Sequence, residues 1–119
     1  MNTSHIGQEG EQKALRYLGQ LGYKLLACNF KVKGGEIDLI MRDKKTLVFV
    51  EVKTRASRAF GGPLAAITPA KQKRLSVAAH IFVQTNRPKF DSIRFDAVAV
   101  LAGEITHLKN AFIPSRTLL

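Results

Sequence analysis

The chain has 119 residues, 45% of them hydrophobic and 24% charged, which suits one globular domain over residues 1–119 with a fraying tail at 113–119. Its formal net charge of +10 attracts phosphate polymers, although solubility alone or binding to an anionic surface would explain it too. Because there is no apolar run of about 18 residues and no signal-peptide pattern, we expect a cytoplasmic protein without a membrane partner. One cysteine excludes an internal disulfide bond, and three scattered histidines argue against a structural zinc site.

The first predicted element is a helix over residues 4–21, which has an apolar stripe at helical spacing. Glu11 borders the face that this stripe turns toward the rest of the domain. A carboxylate there could reach a metal ion held by neighbouring strands. It could equally be a solvated acid that pairs with Lys13 or Arg16 on the same helix.

Two neighbouring strands form the part of the chain around which the rest is organised. After a first strand over residues 23–30, they are predicted at residues 35–40 and 46–54, joined by a short polar turn. If the hairpin loop has an even number of residues, paired residue numbers add up to 89. Asp38 then faces Glu51, and Glu36 faces Lys53. A three-residue loop would instead put Asp38 and Glu51 on opposite faces.

Facing carboxylates repel one another, so a positive group is expected between them. Lys53 is one candidate, and Mg²⁺ is another, because Mg²⁺ prefers one or two carboxylates together with waters and phosphate oxygens. The alternative is an ordinary hairpin with one hydrated face.

The second half of the chain supplies basic groups and completes the sheet. Residues 55–66 form a glycine-rich connection, and a helix follows over 68–84, opened by a Thr-Pro pair. Cations in its first two turns oppose the helix dipole, which favours a phosphate contact over a merely solvated basic face. Strands at 93–101 and 105–108 give the order αβββαββ. Its crossover unit predicts a mixed sheet in a three-layer α/β domain.

Several blocks of the sequence resemble the YraN family of small bacterial proteins. The two most specific are GEIDLI at residues 35–40 and FVEVKTR at residues 49–55. Other matching positions span almost the whole chain: Gly7, Glu11, Ala14, Asn29, Phe60, Gly61, Lys71, Arg94, Phe95, Asp96, Asn110, Ala111 and Phe112. The YraN family is similar to the archaeal Holliday-junction resolvases. The resemblance therefore implies a restriction-endonuclease-like α/β/α fold with a PD-(D/E)xK site.

The resemblance also implies roles for particular residues. Asp38, Glu51 and Lys53 take the three core positions of the motif, although isoleucine precedes Asp38 where the motif name has proline. Glu11 is similar to the helix-borne acid of the resolvases, and Glu36 lies beside the motif as an assisting acid. Mg²⁺ or Mn²⁺ would be held by Asp38, Glu51, Glu11 and the backbone carbonyl of Val52.

These expectations together predict that the protein is a metal-dependent nuclease that acts on DNA, including branched or single-stranded DNA. Candidate nucleic-acid contacts are Arg55, Arg58, Lys71, Gln72 and Arg74. Some related nucleases have a tyrosine four residues after the glutamine, where this chain has Ser76. The resolvases act as dimers, so a homodimer is considered as well. The alternatives are a nucleic-acid-binding module that kept the fold without turnover, and a small structural protein.

Overall fold

The computed structural model describes residues 9–55 and 67–113, which contain two helices and five strands. The elements are α1 (Glu9–Gln20), β1 (Lys24–Val32), β2 (Gly35–Asp43), β3 (Thr46–Arg55), α2 (Pro69–Asn86), β4 (Ser92–Leu101) and β5 (Glu104–Leu108). The predicted order αβββαββ is confirmed. The expectations for residues 4–8, for most of the connection including Arg58, and for the tail from residue 114 fall outside the described residues. Among those described, no helix is long and apolar enough to cross a membrane.

The five strands form one mixed sheet in the order β1-β2-β3-β4-β5. Only β3 and β4 pair in parallel, because α2 carries the chain back across one face of the sheet between them. Neighbouring residues of β3 alternate between two hydrophobic clusters. Leu47 and Phe49 pack with α2, whereas Val48 and Val50 pack with α1. The two helices therefore cover opposite faces, and this α/β arrangement is compatible with a restriction-endonuclease-like fold.

The hairpin of β2 and β3 has the predicted register. Leu39 pairs with Val50 and Asp43 pairs with Thr46, around a two-residue turn in which Lys44 has a φ of +57°. The ladder stops at Leu39 and Val50, so Glu36 and Lys53, which were expected to face each other, are not paired in it. Asp38 and Glu51 lie one step beyond its last pair.

Regular alternation of the side chains breaks where β1 and β2 pass the end of this ladder. Cys28 packs on the α1 side but Phe30 packs on the α2 side, and Asn29 between them has a φ of +51°. In β2 the same reversal separates Ile37, on the α2 side, from Leu39, on the α1 side. Strict period two, which the sequence analysis assumed through Asp38, therefore does not hold there.

Two glycines bring the helices close to the fork, the point beyond Leu39 and Val50 where β2 and β3 no longer pair. A Cβ on Gly10 of α1 would collide with the Thr54 side chain of β3, and one on Gly35 would collide with the Arg74 carbonyl oxygen of α2. Only glycine permits these contacts. They place the first turn of α1 and the first turns of α2 beside the open end of β2 and β3.

A cluster of polar side chains around Asp96 is buried at β4 and β5. The Asp96 side chain has no exposed surface. Its carboxylate accepts hydrogen bonds from Arg94 Nε at 2.8 Å and from the backbone N–H of Asn110 at 3.2 Å, and it lies 2.7 Å from His107 Nε2. Arg94 also donates to the Tyr23 hydroxyl at 2.6 Å. Burial alone would raise the pKa of Asp96, but the contacts to His107 and Arg94 outweigh it and lower the pKa. This cluster ties the final strands and the segment after β5 to the sheet.

The substitution Asp96→Ala should lower the free energy of unfolding by about 3 kcal/mol, because it removes the carboxylate that the largely buried Arg94 and His107 share. Urea unfolding followed by circular dichroism measures this. The matched control is Asp91→Ala at an exposed position, which should change stability by less than about 0.5 kcal/mol. A loss below about 1 kcal/mol for Asp96→Ala would show that the cluster contributes little.

Candidate functional site

The candidate site lies at the fork where β2 and β3 separate. Asp38 Oδ2 accepts a hydrogen bond from the Val52 backbone amide at 2.7 Å, so a side chain continues the pairing where the backbone ladder ends. This bond fixes the Asp38 carboxylate against β3. Glu51 precedes Val52 in β3, and its carboxylate interacts with that of Asp38.

Two lysines converge on the same carboxylate oxygen of Glu51. Lys71 Nζ, from the first turn of α2, lies 2.5 Å from Glu51 Oε2, and Lys53 Nζ lies 3.9 Å from it. The Glu51 side chain is only 9% exposed and that of Lys53 only 4%, whereas that of Lys71 is 44% exposed. The structure thus brings the predicted core residues Glu51 and Lys53 together with Lys71.

The electrostatics of the fork are unfavourable for two ionised carboxylates. Burial, followed by the charge of Glu51, raises the pKa of Asp38 to about 7, and the Val52 amide only partly opposes this. Burial by itself lowers the pKa of Lys71, but its hydrogen bond to Glu51, together with the negative charges of Glu51 and Asp38, raises the pKa overall. A proton or a cation therefore has to neutralise part of the charge at this fork near neutral pH.

Glu11 reaches the same region from α1. Its Oε1 atom is buried and has no hydrogen-bond partner among the described residues. Burial raises the pKa of Glu11, a hydrogen bond with Asn29 lowers it, and the charges of Glu36 and Glu51 raise it again. Lys13, one of the alternative helix partners, pairs with Glu9 at 3.2 Å instead. Glu11 is therefore oriented toward the acidic fork.

A model of the uncharacterised protein family UPF0102 matches residues 10–100, most of the chain and the whole of the fork. The chain belongs to the UPF0102 family. It is 55% identical over 106 residues to a UPF0102 protein of Herminiimonas arsenicoxydans, covering 89% of this chain and 85% of that protein. A UPF0102 protein of Caldicellulosiruptor saccharolyticus is 44% identical over 118 residues, covering 94% of this chain and all of that protein. This is the YraN family, so the resemblance stated from the motifs is confirmed.

The acidic groups of this UPF0102 chain fit a divalent cation only in part. Asp38 and Glu51 supply the one or two carboxylates that Mg²⁺ takes, and the partnerless Glu11 Oε1 supplies a third oxygen in the same region. Within residues 9–55 and 67–113, however, no group of three or more His, Cys, Asp or Glu side chains is placed to hold a metal ion. The fit therefore rests on the carboxylates of Asp38 and Glu51, because Mg²⁺ can take one or two carboxylates and complete its shell with waters and substrate oxygens. The Val52 carbonyl stays a predicted ligand.

The remaining predicted residues have other neighbours. Glu36 is 48% exposed and lies 3.9 Å from Arg74, so both are at the rim of the fork. Gln72 donates from Nε2 to the Ile67 carbonyl oxygen at 3.0 Å and thus braces the start of α2. The Arg55 side chain and Arg58 are outside the described residues.

Sequence reasoning missed two features of the candidate site. One is the contact between Lys71 and Glu51, since Lys71 was expected to face phosphate. The other is Asn29, which supports Glu11 from a left-handed backbone position. An asparagine inside a strand is a weak sequence signal for such a position, because Asn adopts positive φ more readily than most residues.

The substitution Asp38→Asn should stabilise the protein at pH 8 and have little effect at about pH 3.5, below the ordinary pKa of an aspartate. The unfolded Asp38 loses its proton near its ordinary pKa of about 3.9, but the folded one keeps it until about pH 7, so stability falls as pH rises through that window. The amide removes the charge yet still accepts from Val52. We expect a gain of about 2 kcal/mol at pH 8 by urea unfolding without divalent cations.

Asp91→Asn, at an exposed position, is the matched control and should show no such pH-dependent gain. If Asp38→Asn shifts stability equally at both pH values, Asp38 does not carry the raised pKa.

Proposed function

We propose that this UPF0102 protein is a metal-dependent nuclease that hydrolyses phosphodiester bonds in DNA. The supporting observation is the pair formed by Asp38 and Glu51, two largely buried carboxylates held together beside the buried Lys53. Such a pair opposes folding and has no evident structural purpose. Strongly shifted pKa values with a specific charged partner are typical of functional sites.

Each residue of the fork has a chemical role in this proposal. Asp38 and Glu51 hold Mg²⁺ or Mn²⁺, with Glu11 and the Val52 carbonyl as further oxygen ligands and Glu36 as an assisting acid at the rim. The bound ion supplies a water of lowered pKa and offsets negative charge on the phosphate. Lys53 positions the attacking water or stabilises the charge that develops on the phosphate oxygens. Its burial and its distance of 3.9 Å from Glu51 support a fixed position for this ammonium group.

The basic surface supports a nucleic acid as substrate. The formal net charge is +10, and Lys71 and Arg74 lie at the edge of the acidic fork. Together with Arg55 and Arg58 they would contact the phosphate backbone, which reads the shape of DNA more than its sequence. Branched and single-stranded DNA are the structures to test first, and a homodimer would present two such sites.

The second candidate is a nucleic-acid-binding module without turnover. The observation that favours it is the ion pair of Lys71 with Glu51, which already neutralises one of the two central carboxylates. In that case the protein would bind DNA with the same affinity whether or not divalent cations are present, and it would leave the DNA intact.

Metal uptake gives the first test of the nuclease proposal. Isothermal titration with Mn²⁺ at pH 8 should show binding by the wild type, and Asp38→Ala should weaken it at least about tenfold, since it removes a charged ligand. Asp91→Ala is the matched control, because it removes an exposed carboxylate away from the fork. Absence of uptake at millimolar Mn²⁺ would overturn the metal-dependent proposal.

Cleavage of labelled nucleic acids gives the second test. A panel of duplex, nicked, branched and single-stranded DNA, with matching RNA, should yield products only with Mg²⁺ or Mn²⁺. The variants Glu51→Gln and Lys53→Met should each lower the rate by about 10²-fold or more. Cleavage that persists in both variants would indicate a contaminating enzyme, whereas binding without cleavage would support the second candidate.

A further inference from the structure

Glu51 has more positive neighbours than one carboxylate requires. Lys71 and Lys53 both contact its Oε2 atom, and the Lys71 contact is the closer one. A divalent cation bound by Glu51 would therefore share the carboxylate with two ammonium groups. Like charges at such distances repel strongly where water is scarce, so the three cations are not expected to stay together.

The two lysines differ in how easily their amines can move away from Glu51. The Lys53 side chain is 4% exposed and starts from the middle of the sheet, next to β4. Lys71 lies near the N-terminus of α2, and its side chain is 44% exposed. Its amine can therefore rotate into solvent without disrupting the core. Lysine has a flexible four-carbon stem and a strongly hydrated ammonium group, which suits such a movement.

The position of Lys71 on its helix gives a second argument. It lies in the first turn of α2, whose N-cap is Thr68, and this turn contains no acidic residue. The positive end of the helix dipole disfavours a cation there, and the ion pair with Glu51 offsets this electrostatic repulsion. Once that pair is lost, an anion such as a phosphate of the substrate becomes the favourable partner for both Lys71 and the helix end.

We propose that Lys71 is a displaceable counter-ion, which holds Glu51 in the metal-free protein and leaves it for substrate phosphate when a divalent cation binds. This inference rests on the proposed metal site and adds a residue that regulates its occupancy. Metal binding and nucleic-acid binding are then coupled, because the ion that enters the fork frees the amine that contacts the backbone.

Two variants test the competition directly. Lys71→Met removes the charge and keeps an unbranched side chain of similar length, and Lys71→Gln removes the charge with a shorter, polar side chain. Each should tighten Mn²⁺ binding about tenfold in isothermal titration. A gain of that size is expected when one charged, hydrogen-bonded competitor is removed. Lys73→Met is the matched control, since it removes an exposed cation from the same helix turn, and it should change the affinity by less than about twofold.

A measurement on the wild type keeps the test independent of how the variants fold. Acetylation by a limiting amine reagent, read by mass spectrometry, should rise severalfold at Lys71 when Mn²⁺ saturates the protein, while Lys73 stays constant. If the wild type binds Mn²⁺ but its Lys71 labelling does not change, or if both Lys71 variants bind Mn²⁺ as the wild type does, the inference is wrong and the metal site stands. If the wild type takes up no Mn²⁺, the proposed function itself fails.

Discussion

The repulsion between Asp38 and Glu51 is the constraint on which the rest of this site depends. Two largely buried carboxylates cannot both stay ionised without a compensating positive group. The structure provides one hydrogen bond to Asp38 from the Val52 amide and two ammonium groups at Glu51, from Lys53 and Lys71. A proton on Asp38, a lysine on Glu51 and a metal ion between them are thus alternative ways to neutralise the same charge. Conditions that favour one of them disfavour the others.

The fold creates this constraint by interrupting its own sheet. The ladder between β2 and β3 ends at Leu39, and the alternation of side chains reverses beside it, at Asn29 in β1 and Asp38 in β2. Beyond that point the two strands no longer share backbone hydrogen bonds, so polar side chains take over the pairing. Close contacts at Gly10 and Gly35 bring both helices to the opening. The carboxylates are therefore fixed by secondary structure, which holds functional groups more precisely than loops do.

Local patterns of the sequence were sufficient for the fold and for part of the site. A polar two-residue turn fixed the register of the hairpin, because side chains alternate with a period of two along a strand. That register ends at Leu39, one step before Asp38, where the alternation no longer holds. The contact between Lys71 and Glu51 could not be obtained in this way. It depends on how α2 is rotated about its axis and how closely it approaches the sheet, and α2 lies in close contact with Gly35. The reversal of side-chain alternation at Asn29 could not be predicted from the sequence either, because a single residue with left-handed backbone conformation does not change the hydrophobic pattern.

Two aspartates in the same sheet have their pKa values shifted in opposite directions. Asp96 accepts from Arg94 and Asn110 and lies beside His107, and its pKa is lowered. Asp38 has one hydrogen-bond donor and a neighbouring carboxylate, and its pKa is raised to about 7. A carboxylate that only stabilises the fold is expected to resemble Asp96, because donors that satisfy its oxygens also favour folding. Asp38 opposes folding at neutral pH. The proposed cation site would account for such a residue, because a bound cation would supply the positive charge that Asp38 lacks.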